Sequence, residues 1–305
     1  ADEKNDVRIF VAVPELIHSE IEEILKENGF FNLEFLDSKK EAEIMERYFE
    51  AEGRYSLLHN LPFKKDVSMP KITVYAASFY KDKKLDAPPH FPKYVKKILL
   101  GCDGAKNAGV NTEGLADFYD NTGDNISDKN TVRCEMTAHY WIWKNRLNTD
   151  DEYVGVCHYR RTLDVTDEDL LRMKGNDVDV VLPYPMLHYP NCSIQHSWYA
   201  SEKDWEIMLK VVGELYPEYA KKADEVFKAQ EFYNYNMLIA KKEVFANYCN
   251  WVFPILDKIE EESEPLGKQR NDRYTAYLSE SLLTLYFEAN KDKYKICHTG
   301  RLLFT

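Results

Sequence analysis

Long apolar runs are missing from this 305-residue chain: it nowhere reaches the roughly 20 apolar residues that a helix needs to cross a bilayer. Glycine and proline are sparse, 12 of each, which excludes collagen-like and low-complexity chains. No two cysteines stand in C-x-x-C spacing. The six present (Cys102, Cys134, Cys157, Cys192, Cys249, Cys297) are scattered, so they read as reduced thiols rather than as a disulfide framework or a zinc site. Positive charge is in deficit, with 40 Lys and Arg against 52 Asp and Glu for a net −12, and nucleic acid is therefore not an expected partner. The opening ADEKNDVRIFVAV has no basic stretch ahead of a long apolar segment and is not read as a secretion signal. A soluble, cytoplasmic protein is expected.

What the chain does have is the composition of a globular protein, 44% hydrophobic and 30% charged, with 13% aromatic residues led by 21 Tyr. Strand-like and helical patterns alternate, which predicts an α/β layered fold. Residues 1–65 form one unit: VRIFVAV reads as a strand, PELIHSEIEEILKENG as an amphipathic helix and FNLEFLD as a second strand, followed by a charged helix from about Ser38 to Gly53. No glycine-rich phosphate turn joins the first strand to its helix, so this β-α-β piece reads as an accessory element. LPFKKDVSMPK (61–71) marks the boundary, and KITVYAAS opens a main domain over residues 70–305. Residues 80–125 lack periodicity and are predicted to be a long loop region. A helix is predicted from Asp128 to Asn148, strands at YVGVCHYRR and DVDVVLP, a strand at YNYNMLIAKK, and long helices over EVFANYCNWVFPILDKIEEE and RYTAYLSESLLTLYFEAN.

Several polar groups stand where such a fold places ligands. The strand YVGVC emerges into His158, Tyr159, Arg160 and Arg161, and ligands of open α/β sheets collect beyond the carboxyl ends of strands. Two arginine forks and an imidazole there form an anion grip; a solvated basic cluster paired with surface acids is the equally open alternative. Asp124 and Asn125 lie in DNTGDNIS (120–127), a turn that leads into a helix start and suits either an anion or ordinary capping. Asn236 stands at a strand mouth, where amides reach sugar hydroxyls. His188 and His196 sit in an aromatic loop, with a spacing that matches no standard zinc motif. Glu280 is a helical carboxylate near an arginine.

Five blocks in order, DNTGDNIS (120–127), CEMTAHYWIWKN (134–145), YVGVCHYRR (153–161), NMLIAKKEVFANYCNWVFPIL (236–256) and RYTAYLSESLL (273–283), resemble the bacterial capsular and exopolysaccharide biosynthesis glycosyltransferases once catalogued as a domain of unknown function. The resemblance covers residues 70–305. It implies a GT-A-like domain, with a mixed, mostly parallel sheet, that binds a nucleotide sugar. Many GT-A enzymes carry Asp-x-Asp at a mid-chain strand end, holding Mn²⁺ or Mg²⁺ against the donor diphosphate. Here His158-Tyr159-Arg160 stands at the corresponding place, so a divalent ion is not signalled and cationic side chains are expected to take the leaving-group charge. Asp177-Val178-Asp179 has the letters but precedes its strand.

The resemblance further implies a UDP-sugar donor (galactofuranose in some relatives) and a growing, lipid-linked glycan as acceptor, with peripheral contact at the inner face of the membrane. Donor binding is assigned to Asp124, Asn125, His158, Arg160 and Arg161, and the acceptor or sugar to His188, His196 and Asn236. If the reaction inverts, Glu280 is the expected base and Asp124 its substitute. A non-catalytic sugar- or nucleotide-binding protein on the same fold is the competing expectation.

Overall fold

Alternation sets the layers. In the strand Ile72–Phe79, Val74 and Ala76 face one side of the sheet while Tyr75 and Ala77 face the other, and Tyr153/Cys157 and Val154/Val156 divide in the same way along Tyr153–His158. Both faces are apolar, as a sheet covered on both sides requires. The computed structural model describes residues 4, 6–85, 89–264 and 272–304. Among them the main sheet has nine strands. Its central path runs Ile296–Thr299, Val180–Pro183, Leu238–Lys241, Tyr153–His158, Ile72–Phe79, Val95–Leu100, Phe118–Tyr119. Every neighbouring pair on that path is parallel except those made by Leu238–Lys241, which runs against both of its neighbours. The expected mixed, mostly parallel α/β fold is what the chain adopts.

One face carries the larger core. Helices Met136–Asn145, Glu202–Leu215, Pro217–Lys228, Lys242–Glu262 and Tyr274–Ala289 bury Trp141, Met208, Phe245, Tyr248, Leu282 and Phe287 against the sheet. The opposite face is covered by helix Asp167–Gly175 and by Leu58 from the N-terminal segment. Gly155 lets the antiparallel strand approach, because a Cβ there would stand 2.6 Å from the Leu238 carbonyl oxygen.

The first strands, Ile9–Val11 and Leu33–Phe35, pair in parallel as a separate two-stranded sheet. Helix Ser38–Glu52 packs beside the strand Arg301–Leu303, which joins the main sheet through Arg161–Leu163. Arg301 reaches Glu41 at 3.2 Å, the Leu303 amide donates to Ser38 Oγ, and Phe49 packs on Tyr184. His59 and Asp169 pair at 3.0 Å across the same seam.

Residues 80–125 depart from the long loop expected of them. They contain the strand Val95–Leu100, the helix Cys102–Asn107 and the strand Phe118–Tyr119, paired with Ile72–Phe79 and with each other. The adjacent exposed lysines Lys96 and Lys97 break the apolar pattern of a strand that is otherwise buried. The helix expected from Asp128 to Asn148 is interrupted at Cys134, whose φ is 44°. In YNYNMLIAKK only Leu238–Lys241 is strand; Tyr235 and Asn236 make a turn.

DNTGDNIS (120–127) is a structural joint. Asp120, fully buried, accepts from the amides of Gly101 (2.8 Å) and Cys102 (3.1 Å) and from Ser127 Oγ (2.6 Å) and Thr137 Oγ1 (2.9 Å). Asn145 brackets the turn, accepting from the Asp124 amide and donating to the Asp124 carbonyl. Gly123 has φ 61°, and a Cβ would collide with the Asn145 side chain. Asp120→Ala removes the shared acceptor of four buried donors, of which Thr137 Oγ1 alone also reaches the Cys134 carbonyl, and is expected to destabilise the fold by about 3 kcal/mol or more, read from urea unfolding. A loss under about 1 kcal/mol would mean that water replaces the carboxylate.

Candidate functional site

A cleft of about 740 Å³ opens beyond the carboxyl ends of the central parallel strands. Its floor follows from register. Ala77 pairs with His158, so Ala77-Ser78-Phe79 and His158-Tyr159-Arg160 emerge side by side. His158 also pairs with Arg161 across a two-residue turn, which puts Arg160 at the tip of a hairpin at the cleft wall.

This wall is cationic. The Arg161 guanidinium lies 4.5 Å from the Tyr235 ring, and Arg301 approaches that ring at 5.5 Å. Burial, then Arg160 and Arg301, pull the Arg161 guanidinium below its ordinary value. Lys81 and Arg273 line the same cleft. Crowded cations in a part-buried place gain most from an anion that relieves their repulsion, and diphosphate oxygens match the guanidinium fork. Asp82 stands among them: burial pushes its carboxyl up, while the Phe79 amide (2.6 Å) and then His158, Arg160 and Arg273 draw it down.

The rest of the lining is acidic, amide-bearing and aromatic. Glu280, only 6% exposed, is pushed up to about 8 by burial first and by Glu135 second, against the Tyr235 amide and Arg161. Gln195 Nε2 donates to Glu280 Oε2 at 3.3 Å. Exposed Trp198 and Tyr199 form the rim, with Tyr199 stacked on Tyr277 at 4.5 Å. Arg160 Nε, His188 Nε2, Gln195 Oε1 and Asn234 Oδ1, all on residues that line the cleft, are buried without a hydrogen-bond partner. Such atoms are uncommon, and their gathering around one cleft marks it as built for a polar ligand.

The structure brings together His158, Arg160, Arg161, His188 and Glu280. It does not bring Asp124, Asn125 or His196 to the cleft lining. Asp124 accepts from the Tyr140 hydroxyl at 3.1 Å, and Asn125 bonds within its own turn. His196 stacks on Trp205 at 4.3 Å and meets Glu202 Oε2 at 3.0 Å, so its ring serves packing. Asn236 is fully buried beneath the floor, donating to Glu135 Oε1 (2.7 Å) and Ser279 Oγ (2.9 Å). Sequence reasoning gave no role to Asp82, Glu135, Gln195 or Arg273, and took Tyr235 only as part of the strand mouth Tyr233-Asn234-Tyr235-Asn236-Met237. Glu135 and Arg273 stood inside blocks already singled out, whereas Asp82 lay unmarked among lysines.

Among the described residues no group of three or more His, Cys, Asp or Glu side chains is gathered to hold a divalent ion. The cleft's carboxyls are separately engaged, Asp82 by the Phe79 amide, Glu135 by Asn236 and Glu280 by Gln195. This donor set does not fit a resident metal, and Asp177 and Asp179 bind Lys241 at the other end of the sheet.

The family model described as "Domain of unknown function (DUF4422)" matches residues 81–291. In three dimensions the chain is similar to the apo structure of WbbM, a bifunctional glycosyltransferase, with a TM-score of 0.65 at 24% sequence identity. The match covers 77% of this chain and 45% of that one, so the chain spans less than half of its length. The likeness is one of fold. No curated protein matches the chain.

Glu280 leaves a signature in stability. Between about 4.5 and about 8 the folded carboxyl keeps a proton that the unfolded one has released, so stability falls as pH rises through that window. Glu280→Gln is expected to lose less Tm than the parent between about pH 5 and about pH 9. Identical slopes would show that this carboxyl titrates normally.

Proposed function

The chain belongs to the DUF4422 family, and from that footing we propose that it is a glycosyltransferase that moves a hexose from a nucleotide-diphosphate donor, UDP-linked, to a glycan acceptor with inversion. The observation that carries this reading is that one cleft is lined both by guanidinium groups and by a buried, proton-hungry carboxyl. The family match and the likeness to a glycosyltransferase fold support it.

On this reading the diphosphate lies against Arg160 and Arg161, with Arg273 and Lys81 at the cleft's edge. Guanidinium forks there neutralise charge as it develops on the leaving diphosphate, and they act in a part-buried place where that attraction is strong. The acceptor approaches from the Trp198 and Tyr199 rim, whose ring faces suit the apolar face of a sugar. Its hydroxyl oxygen attacks the anomeric carbon, the bond from that carbon to the diphosphate oxygen breaks, and the hydroxyl proton passes to the Glu280 carboxylate. A base with a raised pKa draws that proton more strongly than a surface carboxylate does.

The proposed donor specificity extends to galactofuranose as one candidate hexose, and the proposed acceptor is a lipid-linked capsular, exopolysaccharide or O-antigen glycan met at a membrane surface. No helix among the described residues is long and apolar enough to cross a membrane; the proposed contact is peripheral.

Two measurements test the reading. UDP is expected to raise Tm in EDTA, and Arg160→Ala to weaken its binding about 10-fold or more by removing a charge-assisted contact. kcat/KM is expected to rise with pH as Glu280 ionises near about 8, and Glu280→Gln to lower it by about 10²–10⁴-fold with UDP affinity unchanged. A UDP effect that requires Mn²⁺ would overturn the cationic grip. Wild-type turnover in Glu280→Gln would overturn the base.

A further inference from the structure

Tyr235 and Asn236 both adopt left-handed backbone angles, with φ of 70° and 49°. Neither is glycine, and such a pair persists only where its surroundings hold it. Its surroundings are residues of the cleft. The Tyr235 backbone favours the ionised form of Glu280, and its carbonyl lies 2.7 Å from His158 Nε2. The Asn236 amide group donates both to Glu135 Oε1 and to Ser279 Oγ, next to Glu280 in the chain. One strained corner therefore holds Glu135 directly and, beside Glu280, Ser279; Glu135 and Glu280 both line the cleft.

The groups that face Glu280 come from every element around it. Glu135 and Cys134 stand at the start of helix Met136–Asn145, Arg161 on the hairpin, Tyr277 on Glu280's own helix and Gln195 on the turn before His196. Burial pushes the Cys134 thiol up to about 12 and raises the Tyr277 phenol, so both are neutral at physiological pH. Charge at Glu280 is thus contested between Arg161, which favours its ionised form, and Glu135, which opposes it.

We propose that Glu135 is a positioning residue for the transfer: clamped by Asn236 at the cleft floor, its charge makes Glu280 a stronger base toward the acceptor hydroxyl than burial alone would. This rests on the reading of Glu280 as the base. When the acceptor oxygen bonds to the anomeric carbon and its proton moves to Glu280, the neutral carboxylic acid that forms relieves the repulsion from Glu135.

Glu135→Gln keeps a carbonyl oxygen for Asn236 and removes only the charge. The rising limb of kcat/KM against pH is expected to move down by about half a unit or more, with UDP affinity unchanged and a several-fold lower plateau at high pH from the weaker base. Glu135→Asp, which keeps the charge, is expected to retain the wild-type limb; if it behaves as the Gln variant does, shape rather than charge is responsible and the proposal falls. A second readout needs no turnover. Glu135→Gln is expected to flatten the fall of Tm between about pH 5 and about pH 9, and to have no such effect in a Glu280→Gln background. An unmoved limb with an unmoved Tm slope would overturn the proposal. Absence of turnover in the wild type would instead sink the transferase reading, while the Tm slopes still decide whether Glu135 governs Glu280.

Discussion

The left-handed corner at Tyr235 and Asn236 ties the cleft together. Backbone of this kind is unfavourable for residues with a Cβ, by roughly 1–3 kcal/mol each. Here it turns the Tyr235 carbonyl toward His158, while the buried Asn236 side chain holds Glu135 and Ser279. The corner leads directly into Leu238–Lys241, which runs against both of its neighbours in the sheet. That reversal starts the strand at the same sheet end where the parallel strands finish. A parallel strand in that slot would begin at the far end and would deliver no corner to the cleft.

Charge is brought to the cleft by the same topology. The parallel strand Tyr153–His158 ends in a tight hairpin, which brings Arg160 and Arg161 to the lining, and helix Tyr274–Ala289 carries Glu280 there. Both groups are partly desolvated in opposite senses: burial draws the Arg161 guanidinium down and pushes the Glu280 carboxyl up. Each is poised for a ligand of complementary character, an anion on one side and a proton donor on the other. A diphosphate sugar with an incoming hydroxyl presents those two features at either end of the breaking bond.

Much of this could be read from the amino acids, and the failures have physical causes. YVGVCHYRR is a continuous apolar run that ends in cations, and it forms a buried strand with its charges at the mouth, as expected. Glu280 likewise came to the cleft. Val95–Leu100 was missed because Lys96 and Lys97 sit side by side in it, so period-two patterning disappears although four of its residues are buried. Asp124 and Asn125 looked like ligand groups because Asn, Asp and Gly in a turn serve phosphate binding and ordinary capping alike. Only the tertiary structure shows that Asp120, three residues before Gly123, takes four donors and that Asn145 brackets Asp124. Glu135 and Asn236 are 101 residues apart. Their contact follows from sheet order, which local patterning does not encode.

The most direct single measurement is a crystal structure with UDP bound. The expected density places the diphosphate within hydrogen-bond distance of the Arg160 and Arg161 guanidinium groups, leaving the space between Glu280 and the Trp198–Tyr199 rim open for an acceptor. Diphosphate bound away from these arginines, or outside this cleft, would contradict the assignment of donor and base alike.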